Sequence, residues 1–451
     1  MLLKEIAAYA VRERTAPLGA AVIHHTKRAL VDYLACLLPG ALEPPATLLR
    51  RALADEIGRD RAHVYGALQP APLRTAALIN ATAAHIVEFD DIFRDAIYHP
   101  GCPTIAAALA AAHATGATGD RLLRAIIVGY EVSTRIGVAV NPAHYRFWHT
   151  TGTVGTFGAA AAAGTVLGLS ETQMMHALAT AATMAAGLQQ VFRSDAMSKP
   201  LHAGHAADAG SLAALLAKEG GTGALDALEG PAGFGAAMAG SPDWSKATDG
   251  LGSRYNITQM TCKNHGCCGH AFPAMDGALA LQRRHGIAPG EIRRIHVGSY
   301  RAAVEVTGNA DPKTAFEAKF SLRFVVASLL FHGSVRLDGF DAARLSDPRV
   351  RALMKRIDLD LDPACDAAFP GQRSAMVEIE MNDGRRFHHH QTTRKGDPDD
   401  PLTDAELEAK YYELAAPVIG RPEAERLLAE IARVGDAATV GLTPTYLSGE
   451  S

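Results

Sequence analysis

The sequence predicts a mainly α fold, in which a large all-α helical domain is interrupted by a smaller α+β domain. Three observations carry this reading. Residues 1 to about 260 run as helix after helix with no β–α–β alternation. β-type alternation begins only past Lys263, and helical patterning resumes after the Pro-Asp-rich loop "KGDPDDPLT". The expected boundaries are therefore 1–262 continued by 398–451 for the helical domain, and 263–397 for the α+β domain.

The elements follow in order. "HHTKRALVDYLACLL" and "DRLLRAIIVGYEVSTRIGVAV" place apolar residues at i, i+3, i+4 and i+7. "PTIAAALAAAHATGA" and "ETQMMHALATAATMAAGL" are apolar nearly all round, as expected of interior helices in close contact. "HAADAGSLAALLAKEGGTG" ends on a Gly-Gly stop. In the second domain "EIRRIHVGSY" and "SAMVEIEMNDGRRFHHHQTT" read as strands of a small antiparallel sheet, with Asp383-Gly384 as a hairpin turn. "EAKFSLRFVVASLLFHG" and "DPRVRALMKRI" read as helices between them. Thr403 and Glu406 form a capping signal for the returning helix.

The bulk numbers narrow the function. Of 451 residues, 48% are apolar and 20% charged, with a net charge of −4 of mixed sign, which excludes the basic footprint of a nucleic-acid binder. The N-terminus lacks the apolar core of a signal peptide and no stretch reaches a membrane span, so a cytoplasmic protein is expected. Six cysteines are too few for a disulfide framework. Cys262, Cys267 and Cys268 do not have zinc spacing, and packing at a domain junction is the plainer reading. "FHHHQ" (His388 to His390) reads as a solvated strand end, since at most two of its rings share a face.

Four stretches carry candidate chemistry. "FWHTTGTVGTFGAAAAAG" (147–164) has glycines at three-residue spacing, but no preceding strand and no phosphate-loop Lys-Ser/Thr. A helix starting near Thr150 or Thr151 fits better, with His149 at its mouth beside free backbone N–H groups that suit a carboxylate. "HIVEFDDIFRDAIYHPGCP" gathers Glu88, Asp90, Asp91, Asp95 and His99, either as a solvated acidic face or as a carboxylate–histidine cluster. "FRSDAMSKPLHAGHAADAG" places Lys199 before a helix containing His202 and His205; the lysine either snorkels or holds an anion. "TCKNHGCCGHAFPAMDGAL" sets Lys263, His265 and His270 at the expected domain junction, a preferred place for ligands.

Together with "GYEVSTRIG", "FEAKFSLRFVVA" and "GDPDDPLT", these stretches resemble the MmgE/PrpD family, in family order and over nearly the whole chain. The resemblance implies a helical domain, an α+β lid, a cleft between them and a homodimer. It also implies chemistry with no metal and no organic cofactor on small di- or tricarboxylates, through a proton next to a carboxylate. Family activities include 2-methylcitrate dehydration, cis-aconitate decarboxylation and iminodisuccinate epimerisation. Carried across by motif, His99, His149, Lys199, Asp90 and His270 are the implied catalytic residues. Glu88, Asp91, Thr150, Thr151, Arg193, Lys263 and His265 are the implied substrate-binding ones. The sequence departs from the pattern at Ile92 and at Phe324, where decarboxylase relatives carry tyrosine, and at His205. A dehydratase-like hydro-lyase is therefore the expected function, with an epimerase or a decarboxylase as alternatives. A carboxylate-binding protein that has lost catalysis is the alternative outside the enzymes.

Overall fold

The structure is a computed structural model and describes residues 1–193 and 196–445. The chain folds as two compact units, Met1–Thr261 with Thr403–Ser451, and Cys262–Leu402.

The first unit is helical, and its centre is the helix Thr150–Leu167, buried along all but its last residue. His149, extended at φ −78°, precedes it, and Gly168 ends it in the left-handed conformation at φ 75°. Around it pack the helices Gly101–Thr115, Gly119–Val140 and Ser198–Lys218. Small residues let them approach. A Cβ on Gly158 would lie 2.6 Å from Thr104 Oγ1, and one on Gly152 would lie 2.5 Å from the Ala186 carbonyl and 3.0 Å from His202 Cβ. The glycine spacing of 147–164 is thus a packing device, as the sequence suggests.

The segment after Thr403 rejoins this unit. Thr403 and Glu406 make a reciprocal capping box, and the helix Asp404–Ile419 packs on Ala20–Gly40. Lys410 of that helix is fully buried: its ammonium donates to Asp32 Oδ1 at 2.6 Å and to the Phe89 carbonyl at 2.7 Å. The last part of the chain therefore supports the backbone of the "EFDD" loop.

In the second unit, four strands form one sheet in the order β2-β1-β3-β4: β1 (Ile292–Ser299), β2 (Ile357–Leu361), β3 (Ala375–Met381) and β4 (Arg386–Gln391). β1–β3 and β3–β4 are antiparallel, with the Asp383-Gly384 turn between the last two. β2 was not anticipated and pairs parallel to β1, with Ile295 opposite Ile357, so the sheet is mixed rather than purely antiparallel. Its five residues "IDLDL" begin two residues after the helix Pro348–Met354, and they are short enough to pass as the end of that helix. Helices Phe272–His285 and Leu322–His332 join Ile295, Val297, Val377 and Ile379 in the core of this unit. On β4, His388 and His390 are exposed, while His389 faces the other way and meets Gln391 at 2.9 Å.

Such close helix contacts predict a specific asymmetry between glycines. A Cβ on Gly210 would fall 2.5 Å from the Thr156 carbonyl and 2.7 Å from the Ala160 nitrogen, both backbone atoms that cannot step aside. Gly210→Ala should lower stability by about 1–3 kcal/mol through overpacking. Gly290→Ala, with nothing within 4 Å, should stay within about 0.5 kcal/mol of wild type. Urea unfolding of both variants checks this, and equal midpoints would contradict it.

Candidate functional site

The loop between the helices Leu73–Ile86 and Gly101–Thr115 brings the acidic stretch against three histidines of the first unit. The helix Leu73–Ile86 delivers His85 from its last turn. Its Nδ1 donates to Asp90 Oδ2 at 2.8 Å, and both side chains are buried. His99 Nδ1 lies 2.9 Å from the same oxygen, out of line for a full hydrogen bond, and the Cys102 thiol donates to it at 3.2 Å. Burial alone would raise the Asp90 carboxyl, but the adjoining His85 and His99 rings pull it well below the usual carboxylate range. Burial pushes His85 down to about 3, so its ring is a neutral N–H donor. Asp90 is the anion of the pair.

His149 stacks on His85, with ring centroids 5.7 Å apart and planes 17° apart. Burial first, then the neighbouring rings, holds His149 well below its ordinary pKa. Its Nδ1 lies 3.1 Å from Nδ1 of the half-buried His202, whose pKa burial lowers to about 4. Thr151 Oγ1 accepts the His99 backbone N–H at 3.3 Å, which ties the "HPG" turn to the helix mouth; Thr150 Oγ1 lies 3.5 Å from Asn141 Nδ2.

Glu88 takes the left-handed backbone conformation at φ 59°, which is costly for a residue with a Cβ. Its carboxylate forms a buried ion pair with Lys199, whose ammonium also sits 5.6 Å above the Phe192 ring. Asp91 accepts from Tyr130 OH at 2.7 Å and from the Gly101 backbone N–H at 3.0 Å. Burial, with the Asp32 charge, raises Asp91 to about 7.

Of the sequence-derived candidates, Glu88, Asp90, Asp91, His99, His149, Thr150, Thr151 and Lys199 all belong to this unit. The Arg193 side chain lies outside the described residues. Lys263, His265 and His270 belong to the second unit. There, His270 Nδ1 meets Tyr300 OH at 2.9 Å, and Tyr300 stacks on Phe369 at 4.6 Å. Burial, with Arg373, Arg394 and Lys263 nearby, lowers His270 to about 3. His265 packs edge-on to Phe272, and burial takes it to about 3 as well. Phe324, a departure from the family pattern, is part of this unit's hydrophobic core beside Phe340, so its lost hydroxyl concerns packing there. His205 contacts the Met184 carbonyl at 3.1 Å.

Sequence reasoning missed His85, Tyr130 and Lys410. His85 stands three residues before "EFD", where helical spacing returns a side chain toward the loop; that was a usable signal. Tyr130 and Lys410 act from sequence distances of 39 and 321 residues, and no local pattern marks them.

His85, Asp90 and His99 are the group among the described residues whose ligand atoms, within 4.8 Å of one another, could share a metal ion. The His85 Nδ1–H is used on Asp90 Oδ2, while His85 Nε2 and Asp90 Oδ1 have no hydrogen-bond partner among the described residues. Cys267 meets the Met275 thioether at 3.8 Å and is a packing residue.

Comparison with known proteins agrees with the motif reading. The family model described as MmgE/PrpD N-terminal domain matches residues 4–247, and the one described as MmgE/PrpD C-terminal domain matches 265–436. The chain is 27% identical over 472 residues to a cis-aconitate decarboxylase-like protein, oryM, of Aspergillus oryzae (strain ATCC 42149 / RIB 40), covering 99% of this chain and 97% of that protein. It is 29% identical over 399 residues to the cis-aconitate decarboxylase of Homo sapiens, covering 84% and 80%. The Mus musculus cis-aconitate decarboxylase is 28% identical over 401 residues, covering 84% and 79%. No helix among the described residues is long and apolar enough to cross a membrane.

Asp91 yields a pH prediction. Its folded-state value of about 7 lies above the value near 3.9 of an unfolded aspartate. Its contribution to stability is therefore complete below the unfolded value and is lost as pH rises through 7. Asp91→Asn removes that loss and keeps an acceptor for Gly101 N–H. Relative to wild type, its melting temperature should rise between about pH 5 and about pH 8. A difference independent of pH would contradict the assignment.

Proposed function

Since the chain belongs to the MmgE/PrpD family and its relatives include cis-aconitate decarboxylases, which are lyases, we propose that it is a cofactor-independent lyase for a small di- or tricarboxylate. It removes a proton from the carbon next to a carboxylate and expels water, in the manner of a 2-methylcitrate dehydratase. The observation that carries this is the buried Asp90 carboxylate set between two imidazoles, with an ion-paired lysine in the same unit.

The roles follow from environment. His149 is buried and neutral, so a lone pair is available to accept a carbon-bound proton. His99 is partly exposed and lies beside the Asp90 anion, which offsets the charge its ring carries when it serves as the acid for the leaving hydroxyl. Lys199, oriented by Glu88, attracts a substrate carboxylate, and the N-terminus of the Thr150–Leu167 helix adds its positive dipole end. Asp91, titrating near neutrality, keeps the loop between Tyr130 and Gly101 in place.

Loss of CO₂ is the second reading, favoured by the printed names of the relatives. Epimerisation would use the same proton-moving groups and has no separate observation in its favour.

The test is NMR of the purified protein in D₂O with 2-methylcitrate, citrate, cis-aconitate and an aminodicarboxylate. Deuterium at the carbon next to a carboxylate, with an alkene formed as water leaves, is the expected result. Loss of CO₂ from cis-aconitate would establish the second reading, and no exchange with any acid would overturn both. On the true substrate, Lys199→Ala and His149→Ala should each lose roughly 10²–10⁴-fold in turnover while retaining the wild-type circular dichroism. Unchanged turnover would remove these residues from the mechanism.

A further inference from the structure

His149 poses a chemical problem that its surroundings answer. It is 2% exposed, and burial opposes a positive charge on its ring. Yet a base that takes a proton from carbon gains that charge unless it passes a proton on. Its Nδ1 faces Nδ1 of His202 at 3.1 Å, a contact that requires a proton on one of the two nitrogens and a lone pair on the other. His202 is half-buried, on the outer side of the pair.

The contact is built by the backbone. The Gly187 carbonyl accepts the His149 N–H at 2.9 Å. A Cβ on Gly187 would come 3.2 Å from His202 Nδ1, and one on Gly152 would come 3.0 Å from His202 Cβ. Two glycines, one in a loop and one in a helix, thus leave room for the imidazoles to meet. Lys199 and His205 are the other titratable groups whose charge bears on His202, and both oppose an imidazolium there.

We propose that His149 and His202 form a two-imidazole relay, which carries the positive charge of the substrate's proton out of the buried site by exchanging tautomers, with neither ring becoming charged. It rests on the reading of this site as one that removes a carbon-bound proton. At rest His149 holds its proton on Nδ1 and His202 holds its own on Nε2. The carbon-bound proton goes to His149 Nε2, and the electron pair of the broken C–H bond stays on the substrate. The His149 Nδ1 proton passes to His202 Nδ1, and the His202 Nε2 proton passes to water. Both rings stay neutral, each in its other tautomer. Once product has left, the reset is concerted: water gives a proton to His202 Nε2, the His202 Nδ1 proton returns to His149 Nδ1, and the His149 Nε2 proton leaves to water in the emptied site, so neither ring is charged. A proton from water then restores the acid that protonated the leaving hydroxyl. The sum is substrate to alkene and water.

His202→Asn separates relay from positioning, since an amide oxygen still accepts from His149 Nδ1–H but the amide cannot hand a proton on. The expected result is a fall in kcat of at least about 10-fold with KM within about twofold of wild type. In His202→Ala, imidazole in the buffer should restore kcat in a saturable manner, while the wild type ignores it. A second measurement needs no substrate. The ¹⁵N spectrum of the resting protein should show two neutral rings, with His149 protonated at Nδ1 and His202 Nδ1 a hydrogen-bonded acceptor. Two rings both protonated at Nε2, or an imidazolium, would overturn the relay. A wild type that exchanges carbon-bound protons, together with a His202→Asn that matches its kcat, overturns the relay alone. A wild type that exchanges none overturns the function and the relay with it.

Discussion

The buried charge on Asp90 is the constraint from which the site follows. A carboxylate taken out of water is costly unless hydrogen bonds replace its solvation. Here one oxygen collects the His85 ring N–H and the Cys102 thiol, with His99 at contact distance. His85 must then be neutral and protonated at Nδ1, and its Nε2 has no hydrogen-bond partner among the described residues. The stacking of His149 on His85 extends the cluster, and His202 continues it toward the surface. A row of imidazoles that burial keeps neutral, with a fixed anion at one end, is suited to moving protons without accumulating charge.

Packing makes that arrangement reachable. Imidazoles on separate helices meet only where the backbones between them come unusually close, and Gly152 and Gly187 remove the Cβ atoms that would hold them apart. The acidic loop is held from three directions: Lys410 takes the Phe89 carbonyl, Tyr130 takes Asp91, and Lys199 takes Glu88 in its left-handed turn. The return of the chain after Thr403 is therefore part of what shapes the loop, since Lys410 reaches it from the helix Asp404–Ile419.

Much of this was legible from sequence because it is local. The helical character of the first unit, the hairpin at Asp383-Gly384, the Thr403 capping box and the packing role of the glycines in 147–164 are all short-range patterns. So was the gathering of Glu88, Asp90, Asp91 and His99, since they share one loop. What escaped were partnerships across the chain. Nothing near Tyr130 or Lys410 in sequence says that their polar ends meet residues 39 and 321 positions away. β2 escaped for a different reason: a parallel partner for β1 needs a long crossover, and no turn signal announces it. The weight placed on Phe324 also shifts, because it packs in the core of the second unit.

The central claim is that Asp90 is the permanent anion of the site and that His85 is a neutral donor to it. Side-chain ¹³C NMR of the aspartate carboxyls across a pH titration tests it directly. The account predicts that the Asp90 signal stays at its ionised position down to about pH 4 and below, since its folded-state value lies well under the ordinary one. A carboxyl signal for Asp90 that moves to its protonated position above about pH 5 would contradict it.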